Sequence, residues 1–217
     1  LTIQKYQMAN SNFRQDLDNE VLLAKYLNAI YLKLFKGSNY RFNRINQLDR
    51  QYKGIDLVLS NGTTSFNVDE KAQLDYLNTS LPTFAFELSY LKNTNWHQGW
   101  FIDETKTTDI YFLITGIYPK GHNLNNGLEK VKITGVYKDK LTRLLNEKGL
   151  SHETLKSIDE QLRSKGEHGK YPIKELNPKT EGVLYFSKNN KDEQPINLVL
   201  RLDFLIRKKV GKTIFKM

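Results

Sequence analysis

The chain has 217 residues, no cysteine and a formal charge of +9, so it buries a core without staples and forms neither disulfides nor thiolate zinc sites, as suits a reducing compartment. No apolar run nears the roughly 18 residues of a membrane span, and the polar start LTIQKYQMANSNF is unlike a signal peptide, which makes a cytoplasmic location the expectation. Residues 1–109 hold 12 Lys/Arg against 12 Asp/Glu and residues 110–217 hold 21 against 12, an asymmetry that suits a polyanionic partner as well as a plain Lys-rich surface.

Apolar residues at helical spacing (Val21, Ala24, Leu27, Ile30, Leu34) predict an amphipathic helix over 17–36, with Asp16 and Asp18 near its start and Gly37 after its end. A polar, basic stretch, NYRFNRINQLDRQYK, leads into two strands, GIDLVLS and TSFNVDEKAQ, that meet at Asn61-Gly62. Strand-like runs follow at 83–91, 99–102, 108–118 and 130–137. Residues 138–149 and 151–166 read as helices ended by glycine, with Ser151 capping the second. GVLYFS and INLVLRLDFLI read as two more strands before the basic tail RKKVGKTIFKM. This order is α+β or mixed α/β in a single domain, with residues 1–137 as its core and 138–217 as a basic helical and strand elaboration.

The hairpin carries the chemistry. Asn61-Gly62 suits a two-residue type I′ turn, which pairs residues whose numbers sum to 123. Asp56, Asn67, Asp69, Lys71 and Gln73 then share one face, while Leu57, Leu59, Phe66, Val68 and Ala72 share the other, together with an unexplained Glu70. Asp56 and Asp69 become diagonal neighbours, and Gly54, opposite Asp69, leaves room for an ion or phosphate. Two hard oxygen ligands with open positions suit Mg²⁺, with Mn²⁺ as the alternative ion, and Lys71 sets a cation beside them. A carboxylate-held metal and an ammonium together suit phosphodiester hydrolysis.

Gly54-Ile55-Asp56 followed by Asp69-Glu70-Lys71 resembles the motif of the PD-(D/E)XK nuclease superfamily over roughly residues 17–118, with Gly-Ile standing where the motif has Pro. The resemblance implies a restriction-endonuclease-like core of order α-β-β-β-α-β, a mixed sheet flanked by helices. It makes Asp56 and Asp69 the metal ligands, Glu70 the residue whose main-chain carbonyl completes the coordination, and Lys71 the catalytic lysine. Glu20, on the first helix, matches an extra acidic residue that many members place near the metal, and equally suits a helix start. Gln73 continues the polar face toward the water or a phosphate, or is merely exposed. Glu87 joins the acidic cluster or faces solvent.

Trp96 and Trp100 are candidates for base stacking, with core packing the more common role; the four histidines lack metal-ligand spacing. Gly211-Lys212-Thr213 lacks the first glycine of a phosphate-binding loop, since Ile206 stands there. Arg207, Lys208, Lys209 and Lys212, with Lys216, read as a patch contacting a nucleic-acid backbone, or as a solvated tail. The expected function is a Mg²⁺-dependent endonuclease hydrolysing double-stranded DNA, of the type II restriction kind, acting as a homodimer to cut both strands. A repair, phage or junction-resolving nuclease of the same fold and a non-catalytic nucleic-acid-binding protein are the alternatives.

Overall fold

The first helix, α1 (Thr2–Leu34), buries Leu23, Leu27, Ile30 and Tyr31, which recur on one of its faces. The structure, a computed structural model, describes residues 2–189 and 191–217, with α1 side chains from Asp18 on. The helix begins at Thr2 rather than at the expected start near Asp16 and Leu17, whose side chains lie outside the described residues.

Strands β1 (Arg41–Arg44), β2 (Leu57–Ser60), β3 (Ser65–Ala72), β4 (Thr83–Lys92), β5 (Asn95–Gln98), β6 (Ile110–Pro119), β7 (Leu128–Tyr137), β8 (Gly169–Tyr171), β9 (Gly182–Phe186), β10 (Ile196–Arg201) and β11 (Gly211–Lys216) form two sheets. The first, six-stranded and mixed, has the order β1-β2-β3-β6-β7-β11; the second, five-stranded and antiparallel, has the order β5-β4-β10-β9-β8. Helices α2 (Leu48–Tyr52), α3 (Lys138–Glu147), α4 (His152–Lys165) and α5 (Leu202–Arg207) complete the mixed α/β architecture.

Two cores hold these layers together. Leu57, Val68, Ile110, Phe112 and Ile133, on one face of the first sheet, pack with Leu27 and Tyr31 of α1. Tyr111, Leu113 and Val136, on its other face, pack with Phe86 and Leu198 of the second sheet and with Leu141 of α3 and Leu155 of α4. β6 is covered on both faces, which explains its nearly unbroken burial and the apolar run Ile110 to Ile114. Each large side chain so buried contributes about 1.5–3 kcal/mol of transfer free energy.

β3 and β6 are parallel neighbours, so the chain must cross over between them. The crossover is the β4–β5 hairpin of the second sheet, whereas the superfamily order has a helix at this point. The 83–91 run, read as a strand, therefore does not join the sheet of the first hairpin. β4 alternates Phe84, Phe86 and Leu88 into the inter-sheet core and pairs with β10 instead.

Two other readings change for physical reasons. Gly99–Ile102 is turn rather than strand, because its apolar side chains Phe101 and Ile102 enter the core as single plugs. INLVLRLDFLI breaks into β10 and α5, whose Leu202, Phe204 and Leu205 are all buried. The tail after it forms β11, which pairs with β7 at the edge of the first sheet. Strands from either side of residue 137 therefore share both sheets, β4 with β10 and β7 with β11.

The helices after β7 follow the sequence closely. Ser151 Oγ accepts the Thr154 N–H at 3.2 Å, the cap that starts α4. Ser151→Ala is expected to cost about 1 kcal/mol and lower the melting temperature by about 2–4 °C, read by thermal denaturation; an unchanged melting temperature overturns the cap's role. α4 is tied to β4 by buried Asp159, which accepts from Ser89 Oγ and pairs with Arg163.

Candidate active site

The hairpin closes through four residues, not two. Asn61 Oδ1 accepts the N–H groups of Thr63 and Thr64, which folds the chain into a wider loop and brings Ser60 opposite Ser65. Pairs such as Leu57↔Val68 now sum to 125 rather than 123. A shift of two residues preserves side-chain parity, so the division of β3 into two faces stands. Asp69 and Lys71 point toward the second sheet, while Val68 and Glu70 point toward α1.

Asp56 is the exception to the expected common face. Its N–H bonds Val68 O at 2.9 Å, one residue out of step with the ladder, so β2 departs from β3 here. Its Oδ2 accepts the Glu70 N–H at 2.7 Å. A carboxylate held by a strand N–H lies in the plane of the sheet, along the β3 edge that β2 has vacated. Because N–H and C=O of one strand residue project to the same edge, the Glu70 carbonyl faces that gap as well.

Asp69 is only 2 % exposed. Its Oδ1 meets Lys71 Nζ at 2.7 Å, and its Oδ2 is buried without a hydrogen-bond partner. Burial and the Asp69 charge raise the Asp56 carboxyl from 3.8 to about 7, against the Glu70 N–H and Lys71, which favour its ionised form. Tyr111, beside Asp69 on β6, is raised well above an ordinary tyrosine by burial and the same charge, and its hydroxyl also lacks a partner. Two carboxylates and one ammonium thus share a poorly solvated pocket.

Gly54 is shaped by this pocket. Its φ is +72°, and a Cβ there would stand 2.5 Å from Thr108 Oγ1 and 3.3 Å from Asp69 Oδ2. Gly54 does stand beside Asp69 as expected, but the space next to it is taken up by Thr108 and Lys106. Gly54→Ala is expected to destabilise the fold by about 1–3 kcal/mol through the left-handed backbone and the clash with Thr108. Chemical denaturation at fixed pH measures this, and a loss near zero overturns it.

Lys71 stands between two cavities. One, of about 680 Å³, lies against α1 and is lined by Glu20, Asn28, Arg44, Asp56 and Glu70 as well as Lys71. The other, of about 440 Å³, lies between the sheets and is lined by Gln73, Glu87 and Trp100 with Lys71, whose Nζ is 5.2 Å from the Trp100 ring centre. Glu20 is thereby brought to the cavity that holds Asp56. Gln73 lies beyond the end of β3, where its Nε2 donates to Thr83 O at 2.9 Å. Glu87 reaches the inter-sheet cavity from β4, with its carboxyl raised by burial and by Glu193.

Glu70, unexplained by the pattern, is satisfied by Tyr31 and Arg44. Tyr31 donates its hydroxyl to Glu70 Oε1, and Arg44 of β1 forms an ion pair with the same carboxylate while bonding Asn28. No sequence signal marked Arg44 or Tyr31, because α1, β1 and β3 meet only through the fold. Tyr111 and Thr108 were likewise hidden in what reads as an ordinary strand.

The donor set fits a hard divalent cation held by few protein ligands. Asp56, Asp69 and the Glu70 carbonyl would hold it, and the buried unpartnered Asp69 Oδ2 is the atom most in need of it. Among the described residues no group of three His, Cys, Asp or Glu side chains gathers, so remaining positions fall to main chain, water and substrate oxygen.

The expected basic cluster is elsewhere. Arg207 pairs with Asp203 and donates to Thr180 O, and Lys208, Lys209 and Lys212 are exposed at the end of α5 and on β11. β11 lies three strands from β3, or about 14 Å at the usual strand spacing. Trp96 is half-exposed with the Arg163 guanidinium over its ring, and Trp100 is partly buried against Phe86 and Tyr111. No helix is long and apolar enough to cross a membrane among the described residues. Comparisons with protein-family models, curated proteins and solved structures find no match for the chain.

Proposed function

We propose that this protein is a Mg²⁺-dependent endonuclease of the PD-(D/E)XK type that hydrolyses DNA phosphodiester bonds. The observation that carries the reading is Asp69: a buried carboxylate with one oxygen unpartnered, beside a second carboxylate whose charged form is disfavoured. Such a pair stores repulsion that a divalent cation relieves. Mg²⁺, or Mn²⁺ in its place, would activate water and neutralise phosphate charge there.

The chain's own groups supply the rest of the chemistry. Lys71 spends one N–H on Asp69 Oδ1, leaving two to donate to phosphate oxygens as negative charge builds in the transition state. The Glu70 N–H fixes Asp56 at the strand edge, so the two carboxylates are held in place before substrate arrives. Glu20 and Glu87 line the flanking cavities as further acidic groups toward the metal, and the Gln73 amide lies where it orients water or a neighbouring phosphate. The type II restriction role, double-stranded DNA, the dimer and the cytoplasmic location belong to this same proposal, through the superfamily resemblance.

The closed Lys71–Asp69 ion pair favours a second reading, nucleic-acid binding without catalysis. Incubating the full chain with supercoiled plasmid in Mg²⁺ or in EDTA separates the two. The nuclease reading expects cleavage with Mg²⁺, none in EDTA, and none from Asp56→Asn. Cleavage absent in Mg²⁺ and Mn²⁺, or equal in EDTA, overturns it.

A further inference from the structure

A third cavity at β3 is larger than the two described above. It has a volume of about 940 Å³ and is lined by α3, the end of β7 and the Thr108–Asp109 turn that leads into β6. Lys138, Lys140 and Arg143 face it together with the Tyr137 ring and Thr142. Lys140 and Arg143 are three residues apart, neighbours on the exposed side of α3. Lys140 Nζ lies 4.6 Å from the centre of the Tyr137 ring, which is itself 39 % exposed. Arg143 makes no hydrogen bond or ion pair among the described residues, so its five donors are unspent.

The carboxylates of the cleft do not cancel this charge. Asp109, whose Oδ2 accepts the Asn67 N–H at 2.7 Å, and the exposed Asp139 set two carboxylates against three cations, which leaves one positive charge in excess. His152 lines the same wall, with its Nε2 buried and unpartnered. Cations interleaved with an exposed aromatic ring are the chemistry that holds a phosphodiester chain: guanidinium and ammonium on phosphate, ring on sugar or base.

The cleft also abuts the carboxylate pair. Lys138 Nζ donates to Lys106 O at 2.9 Å, and Thr108 Oγ1 donates to Gly54 O at 2.8 Å. Lys106 and Thr108 are the residues that crowd Gly54 beside Asp69 Oδ2. One wall therefore separates the basic cleft from the candidate metal ligands, whereas the Arg207–Lys212 cluster is three strands away and has its arginine already paired.

We infer that the α3 cleft, through Lys138, Lys140 and Arg143, holds the phosphodiester backbone of the nucleic acid on which the candidate active site acts. The inference rests on the nuclease reading for its choice of polyanion, but its test does not require catalysis. Fluorescence anisotropy of the full chain with a labelled DNA duplex, and with a labelled single strand, is measured in EDTA across a salt series. Lys140→Ala/Arg143→Ala, both exposed positions, is compared with Lys209→Ala/Lys212→Ala.

The expected result is that the cleft variant binds about tenfold more weakly and that its salt slope falls by about two, one for each phosphate left without its cation, while the β11 variant keeps the wild-type slope. An unchanged cleft variant, a loss confined to the β11 variant, or no binding of either probe by wild type overturns the inference. Binding that depends on the cleft, without Mg²⁺-dependent cleavage, leaves the inference standing and overturns the nuclease reading instead.

Discussion

Asp69→Asn is expected to lower Mg²⁺-dependent cleavage by about 10³-fold or more while raising, not lowering, thermal stability above neutral pH. The activity loss follows from replacing the buried, unpartnered Oδ2 with a neutral amide and removing the anion that orients Lys71 at 2.7 Å. The stability gain follows from the neighbour, since the Asp69 charge is among the main causes that hold the Asp56 carboxyl up at about 7. Neutralising position 69 removes that repulsion, and Lys71, whose side chain is 28 % exposed, regains water in place of the lost ion pair. Plasmid cleavage and thermal denaturation on the same preparation read both effects. A stable variant with wild-type cleavage overturns the catalytic assignment; an inactive variant that melts lower at high pH shows that Asp69 supports the fold instead.

A second large effect is the response of stability to pH and divalent cation. Asp56 titrates at 3.8 when unfolded and at about 7 when folded, so the folded chain binds this proton more tightly. The resulting stabilisation is complete below the unfolded value and is lost as pH rises through the folded one. At about 1.4 kcal/mol per unit the amount at stake is a few kcal/mol. In EDTA the melting temperature is therefore expected to fall between about pH 4 and about pH 7, a window set by the unfolded and folded values of the Asp56 carboxyl. Excess Mg²⁺ should restore it at the upper end, by about 2.7 kcal/mol at a concentration 100 times the dissociation constant. Calorimetry with and without Mg²⁺ at both ends of the window decides this. A flat pH profile, or one that Mg²⁺ does not alter, removes the physical basis for a cation at Asp56 and Asp69.

Much of the site was legible because parity is robust. The two-residue turn expected at Asn61-Gly62 is a four-residue loop, yet the slip is even, so Asp69 and Lys71 still part from Val68 and Phe66. An odd slip would have dissolved the motif. Asp56 was not legible in this way. Its place at the β3 edge depends on where β2 leaves the ladder, which no alternation in GIDLVLS encodes. Glu70 was opaque for a similar reason, since its partners Arg44 and Tyr31 come from 26 and 39 residues away.

The chain's own pattern determined the helices α3 and α4, the buried strands β6 and β7, the Ser151 cap and the alternation that sorts β3 into two faces. Each of these is decided by neighbours within a few residues: hydrophobic period, cap chemistry and glycine stops. Only the tertiary structure decided that β4 and β10 build a second sheet over Asp69 and Lys71, that β11 closes the first sheet, and that Lys138, Lys140 and Arg143 line one cleft at α3. Those outcomes depend on which apolar face finds which partner across long separations. That choice sets the burial of Asp69, and with it the charge balance of the site.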